Sequence, residues 1–408
     1  MKILITSDWN TYAINGVVTS IKNLVYELRA RGHEVKTLTL SSTHETKVSD
    51  DGWEVASFPA GMVYPGARVR VGHMNKIYDK IIAWGPDIIH SQCEMSTFVM
   101  AHHLSKECMV PIVHTYHTVY EDYTHYIVKD IIPGMNHVDN IAKAAVSEFS
   151  KIVSGQCAAM IAPTEKVKEL LSGYDCKCPL FVVPTGIDLK NYRKHLNDDE
   201  RASLKQQYGI KEDEKIALFL GRVAEEKNLD EVMKMISKYN GKTKIKLLVA
   251  GDGPYFDKAV KVAEKLEAKD KIIFAGMIEP ENVWKYYQLG DFFVSASTSE
   301  TQGLTYIEAL STGLPLLCRK DDCLLDVINQ NENGYMFENE QEFWEGLEFV
   351  LELIGKDEYD RAALGETADK FSREIFGRTI EDIYFDALKN FQIKNRSFFD
   401  RLERFRHG

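Results

Sequence analysis

Two glutamates, Glu300 and Glu308, stand eight positions apart in SETQGLTYIEALSTGLP (299–315). The apolar run DFFVSA (291–296) ahead of them has the character of a buried strand, and the chain then turns through Ser297 to Gln302. A helix is expected from about Gly303, with Ile307, Leu310 and Leu314 on one face. The backbone amides of Gly303, Leu304 and Thr305 would then point out of a helix N-terminus. That is a ready site for a diphosphate, worth about 1 kcal/mol from the helix dipole before hydrogen bonds are counted. One carboxylate could reach a sugar and the other the ribose hydroxyls, because a turn plus a helical turn spans a nucleotide-sugar. An ordinary helix cap with acidic flanks has the same composition, so the segment alone leaves both readings open.

Other residues suit the same chemistry. GRVAEEKNLD (221–230) places Arg222 and Lys227 where cations could neutralise a diphosphate leaving group, whose charge grows as its bond breaks. Taken alone, they could equally be surface charges in a polar turn. WNTYAINGVV (9–18) carries Gly16, which permits close backbone approach of a phosphate or an acceptor. It is not a full Gly-x-Gly-x-x-Gly, which disfavours a dinucleotide. VHTYHTVYEDY (113–123) holds His114 and His117 three apart, without the carboxylate set a zinc site would want. Either could be a structural histidine. No Asp-x-Asp occurs, which removes the commonest motif of metal-dependent sugar transfer.

These residues need strands that end at them. KILIT (2–6), EVKTLTL (34–40), PDIIHSQ (86–92), PIVHTYH (111–117) and AMIAP (159–163) are short and continuously apolar. Strands buried on both faces of a helix-covered parallel sheet look like that. After VVPTGID (182–188) the grammar restarts with KIALFLG (215–221), KIKLLVAG (244–251), KIIFAG (271–276), DFFVSA and PLLCRK (315–320), and helical patterns at 228–239 and 254–268 lie between them. The expected architecture is α/β: two Rossmann-like, doubly wound domains facing across a cleft. The first covers residues 1–188 and the second 189–375, with the junction in the polar stretch 189–214. Residues 376–408 form a C-terminal helix and tail returning to the first domain. Ligands of such sheets lie beyond the carboxyl ends of the strands, where all the residues singled out fall.

The totals agree with a soluble protein. The chain has 408 residues, 44% hydrophobic and 27% charged, and no run approaches a membrane span. Its start lacks the layout of a signal peptide, and seven cysteines without disulfide rhythm suggest reduced thiols in the cytoplasm. A net charge of −11 argues against nucleic acid as a partner. The charge is uneven: residues 1–186 hold 17 Lys/Arg against 19 Asp/Glu, and residues 187–408 hold 33 against 42.

SETQGLTYIEAL resembles the Glu-x7-Glu signature of the retaining family-4 glycosyltransferases, which have the two-Rossmann GT-B fold. GRVAEEKNLD, GDGP (251–254) and FAGMI (274–278) agree with that family in order and spacing. The resemblance implies that Arg222 and Lys227 clamp the pyrophosphate, and that Gly251 and the backbone of Met277 or Ile278 lie beside the base. Thr301, Gln302, Gly303, Leu304 and Glu308 would hold the rest of the donor. It makes Glu300 the group that orients and stabilises the sugar, and His117 a hydrogen-bond partner of a sugar hydroxyl. Front-face attack, with the departing phosphate taking the acceptor's proton, requires no metal or other cofactor beyond the UDP-sugar donor.

The form ETQGLT, with HTYHTVYEDY and NGVVTSIKNL, is similar to the bacterial diacylglycerol glucosyltransferases. That implies glucose transfer from UDP-glucose to 1,2-diacylglycerol, by a protein lying on the inner face of the cell membrane. Two basic-aromatic segments could meet an anionic surface. One is residues 62–80, with Arg68, Arg70, Lys76 and Lys80; the other is 389–406, with Lys389, Lys394, Arg396, Arg401, Arg404 and Arg406. The second could equally pack its Phe face on the first domain. A soluble or polyprenyl-linked glycan acceptor is the alternative. A non-catalytic partner subunit is disfavoured, because Arg222, Lys227, Glu300 and Glu308 are all present.

Overall fold

The computed structural model describes residues 1–13, 15–59, 68–70, 74–119 and 138–406, the backbone alone at 138–142 and 394–406. Two compact units result: Met1–Gly186 with Arg373–Gly408, and Ile187–Ser372.

The first unit is built on β1 (Lys2–Ser7), β2 (Glu34–Leu40), β3 (Lys47–Ser49), β4 (Gly52–Val55), the small hairpin β5 (Phe58–Pro59) and β6 (Arg68–Val69), β7 (Ile88–Ser91), β8 (Ile112–Thr115), β9 (Ala159–Ala162) and β10 (Leu180–Val182). Its main sheet runs β10-β9-β8-β7-β1-β2-β4-β3, parallel except for β3 against β4. The strands are apolar throughout because both faces are covered. Ile3, Ile5, Val35, Ile88 and Val113 meet Ile21, Leu24 and Leu28 of helix Gly16–Ala30 on one face. Leu4, Leu38, Leu40, Ile89 and Ile112 meet Ile77, Ile81, Phe98 and Leu104 on the other. The long last helix, Arg373–Arg406, joins the first of these layers through Phe376, Ile380, Ile383 and Tyr384. Polar ties fix its register. Glu381 Oε1 lies 2.6 Å from His33 Nε2, and the buried Tyr384 hydroxyl lies 2.6 Å from His90 Nδ1. The other ring nitrogen of His90 is 2.8 Å from Thr115 Oγ1, and burial pulls this imidazole well below its ordinary pKa, so it stays neutral.

The second unit carries β11 (Glu214–Leu220), β12 (Lys244–Ala250), β13 (Ile272–Gly276), β14 (Phe292–Ser295), β15 (Leu316–Arg319) and β16 (Gly334–Phe337). All are parallel, in the order β13-β12-β11-β14-β15-β16. The chain fills one side of β11 first and then jumps to β14 on the other, so the loops after β11 and β14 flank the point where strand order reverses. In the first unit the same reversal lies between β1 and β7. Those two places are where a ligand-binding crevice is expected, and the residues singled out from the sequence gather at both.

The division between the units falls at Gly186 and Ile187, just ahead of the polar stretch 189–214 in which the junction was expected. That stretch lies wholly in the second unit and contains helices Leu189–Tyr192 and Asp198–Gln207. The second helix opens with a capping box, Asn197 accepting from the Glu200 amide while the Glu200 carboxylate accepts from the Asn197 amide.

Candidate active site

At the reversal point of the second sheet, the loop after β11 tightens into a helical turn, Glu225–Lys227, before helix Leu229–Lys238. That helix is fixed by Leu229, Val232, Met233 and Ile236, buried at helical spacing. Asn228 takes a left-handed conformation, φ +48°, and its side-chain amide donates to the Ala296 carbonyl at 3.1 Å. The loops after β11 and β14 are thereby laced together, and Lys227 Nζ comes 2.5 Å from Glu300 Oε1. Both side chains are partly open to solvent, 22% and 16%. Residues 73 apart in sequence thus form one ion pair at the strand-order reversal.

Glu308 sits deeper, on helix Leu304–Ser311. Its Oε2 accepts from the Tyr287 hydroxyl at 2.7 Å, and the Tyr192 phenol lies close enough to act on its ionisation. Burial raises its pKa, while the two phenols pull it back down. A carboxylate offers about four acceptor positions, so capacity for further hydroxyls remains. Gly303 opens the helix in a left-handed conformation, φ +73°, where a Cβ would come within 2.6 Å of the Tyr306 ring. Gly303 has no side chain with which to cap the first amides of this helix. The buried hydroxyls of Ser297 and Ser299 in the preceding turn make no hydrogen bond among the described residues.

Three strand-end loops stack beside this helix. The Gly221 amide donates to the Ala250 carbonyl, the Val223 amide to Asp252, and the Gly251 amide to Gly276. Gly251, at φ +146°, packs so closely that a Cβ would collide with the Gly221 carbonyl oxygen. Arg222 and Met277 are exposed here, whereas Ile278 packs partly on the core. The second unit thus gathers Arg222, Lys227, Gly251, Met277, Ile278, Glu300, Thr301, Gln302, Gly303, Leu304 and Glu308 on the loops beyond β11–β14 and the adjoining helix.

At the reversal point of the first sheet, Gly16 is the exposed first residue of helix Gly16–Ala30, which Asn15 caps by accepting from the Val18 amide at 2.9 Å. His117 follows β8 and lies 2.7 Å, through Nε2, from Oε1 of the buried Gln92 just past β7. Burial lowers the His117 pKa to about 4, so the ring is neutral at physiological pH. His114 is fully buried with Nε2 3.1 Å from Glu94 Oε1, a packed polar pair in the sheet. Asp8, just after β1, accepts from the Thr97 amide at 2.8 Å, and burial raises its pKa to about 6. Gln92, Glu94, Asp8, Tyr192 and Tyr287 were not legible as site residues in the sequence. The only signal was that Asp8, Gln92 and Glu94 sit at strand ends.

The basic patch of the first unit is partly corrected. Arg68 and Arg70 are half-buried and bonded inward. Arg68 Nε donates to Ser57 Oγ at 2.6 Å, and Arg70 Nη1 to the Ala56 carbonyl at 3.2 Å. They brace a loop and are not free surface charges. Lys76 and Lys80 are exposed on helix Asn75–Trp84. Residues 62–67 and 71–73, and the side chains of Lys394, Arg396, Arg401, Arg404 and Arg406, lie outside the described residues. Among the described residues no helix is long and apolar enough to cross a membrane.

Residues 14–191 match the family described as Glycosyltransferase Family 4, and residues 200–371 that described as Glycosyl transferases group 1. Two solved structures share the fold. One is HepE from Anabaena in complex with UDP and glucose (TM-score 0.70, 13% identity, 95% of this chain and 100% of that chain). The other is sucrose-phosphate synthase from Thermosynechococcus elongatus (TM-score 0.70, 16% identity, 95% and 99%). The chain belongs to the family-4 glycosyltransferases and has their GT-B fold of two Rossmann-like domains. Within that family it is 35% identical over 399 residues to alpha-monoglucosyldiacylglycerol synthase of Streptococcus pneumoniae, covering 96% of this chain and 88% of that one. It is 29% identical over 403 residues to the Acholeplasma laidlawii protein of the same name, covering 95% and 98%.

Proposed function

We propose that this chain is a retaining hexosyltransferase that moves glucose from UDP-glucose onto the free hydroxyl of 1,2-diacylglycerol, making a membrane glycolipid. The observation that carries the chemistry is the Lys227–Glu300 pair at the strand-order reversal, ahead of a helix whose N-cap is Gly303. The acceptor follows from the relatives, whose name specifies one α-linked glucose on diacylglycerol. UDP-glucose carries its sugar α-linked, so an α-linked product means retention. Arg222, Lys227 and the amides of Gly303 and Leu304 take the diphosphate, with Thr301 and Gln302 in the adjoining turn. Gly251, Met277 and Ile278 lie beside the base, and Glu308 takes the ribose hydroxyls.

The C1–O bond to phosphate breaks on the face where the acceptor oxygen attacks, and the acceptor's proton passes to the departing phosphate. Glu300 orients and stabilises the oxocarbenium-like sugar, His117 holds a sugar hydroxyl, and Gly16 gives the substrate close access to the backbone. The test is a transfer assay pairing UDP-glucose, UDP-galactose and GDP-mannose with diacylglycerol in anionic vesicles and with soluble glycans. Glucosylated diacylglycerol is the expected main product; a soluble glycan preferred as acceptor refutes this reading.

Because cationic side chains neutralise the leaving group, transfer needs no metal. Activity is expected to persist undiminished in a chelator. Loss of activity in EDTA, restored by magnesium or manganese, contradicts this.

A lipid acceptor also requires the protein to adsorb to the inner membrane face. What supports this is the near-neutral charge of residues 1–186 and the exposed Lys76 and Lys80 on helix Asn75–Trp84, whose exposed face carries one acid, Asp79. Adsorption should weaken as salt shortens the Debye length from about 8 Å at physiological ionic strength. Reversing Lys76 and Lys80 to Glu is expected to lower affinity for anionic vesicles, read by co-sedimentation, by about thirtyfold or more, at about 1 kcal/mol per basic residue near the surface. Equal sedimentation of wild type and variant shows that this helix does not face the membrane.

A further inference from the structure

We propose that Gln92 is a positioning residue that selects the tautomer of His117. The inference rests on the reading above that His117 meets a hydroxyl of the donor sugar. Gln92 follows β7 directly, and its own amide donates to the Thr6 carbonyl at 2.9 Å, which anchors its backbone on β1. The residue is 2% exposed, so its side chain has little freedom. Its Oε1 lies 2.7 Å from His117 Nε2. An amide oxygen only accepts, so this bond places the single proton of the neutral ring on Nε2. Nδ1 is left as a bare acceptor, able to take the proton of a sugar hydroxyl. A ring free to change tautomer would spend part of its time presenting N–H there.

Burial, helped by His114 beside it, keeps His117 neutral against the opposing pull of the Glu94 carboxylate. His114 and His90 lie near it in the sheet, and Glu94, the carboxylate facing this group, is bonded to His114 at 3.1 Å. Gln92 Nε2 makes no hydrogen bond among the described residues. That leaves the amide's donor end available to a ligand oxygen or a water.

The experiment compares the full-length wild type with Gln92→Met, Gln92→Glu and His117→Ala. In wild type, the imidazole ¹⁵N shifts of His117 should report a protonated Nε2 and a bare Nδ1. Gln92→Met keeps the length and removes the acceptor. It is expected to give mixed tautomers and lower kcat/KM for the UDP-sugar by about tenfold, the loss of one well-placed hydrogen bond. Affinity for UDP, which lacks the sugar, should be unchanged. Gln92→Glu still accepts from Nε2 and should restore activity at alkaline pH. Its negative charge raises the His117 pKa, so activity falls as pH drops and Nδ1 gains a proton. A wild-type ring protonated on Nδ1, or Gln92→Met kinetics equal to wild type while His117→Ala is impaired, overturns the role of Gln92. If His117→Ala itself leaves kcat/KM for the UDP-sugar untouched, the underlying reading of His117 fails instead.

Discussion

Replacing Lys227 by Met is expected to lower kcat/KM for glucosyl transfer by about 10²–10³-fold, the range seen when a group that stabilises developing negative charge is removed. Lys227 Nζ is held 2.5 Å from Glu300 Oε1, so its ammonium is placed beside the carboxylate at the strand-order reversal. Glu300→Gln should act differently. It keeps size and one acceptor oxygen but loses charge, so kcat should fall by about tenfold or more while UDP affinity stays close to wild type. Because the two side chains touch, the double variant should lose less than the product of the single losses. Kinetics of the three variants decide the matter. Full additivity, with each single loss below threefold, would place the chemistry elsewhere.

The second large effect concerns nucleotide binding. Glu308→Gln should weaken UDP by about tenfold or more, since hydrogen bonds from ribose hydroxyls to a charged acceptor contribute about 1.5–3 kcal/mol each. Gln is the better probe than Ala, because Ala would take away the nearer acceptor of the buried Tyr287 hydroxyl, Glu308 Oε2 at 2.7 Å, and leave only the Thr305 carbonyl at 3.3 Å. Tyr287→Phe provides an independent arm. Burial already raises the Glu308 pKa, and loss of the phenol donor raises it further. The ionised form is the better acceptor. UDP affinity of Tyr287→Phe should therefore fall on acidification at a higher pH than in wild type, and recover on the alkaline side. Calorimetric titration of UDP at several pH values tests both variants. Affinity unchanged in Glu308→Gln removes the carboxylate from the nucleotide site.

Much of this architecture was legible in the sequence because the strands are buried on both faces. Runs such as KIALFLG and DFFVSA have no polar alternation, and each ends where a functional loop begins. The short strands Lys47–Ser49 and Gly52–Val55 escaped notice because β3 is exposed along its length and β4 spans only four residues. The helices of 189–214 were hidden by their polarity, although the Asn197–Glu200 capping box was present to be read. Glu300, Lys227 and Glu308 could be nominated from residue type and spacing. Their grouping could not, because only the reversal of strand order at β11 and β14 brings Lys227 to Glu300. Tyr192, Tyr287 and Gln92 carry no such mark. Tyrosines packed on short helices look like core, and a glutamine at a strand end looks like surface until its neighbour is known.

The central claim is retaining transfer of glucose to diacylglycerol, and the anomeric configuration of the product tests it most directly. UDP-glucose and 1,2-diacylglycerol in anionic vesicles are incubated with the protein in EDTA, and the glycolipid is isolated for proton NMR. A monoglucosyl diacylglycerol with the small anomeric coupling of an α linkage is the expected result. A β-linked product, or glucose released only to water while diacylglycerol stays unmodified, would contradict it.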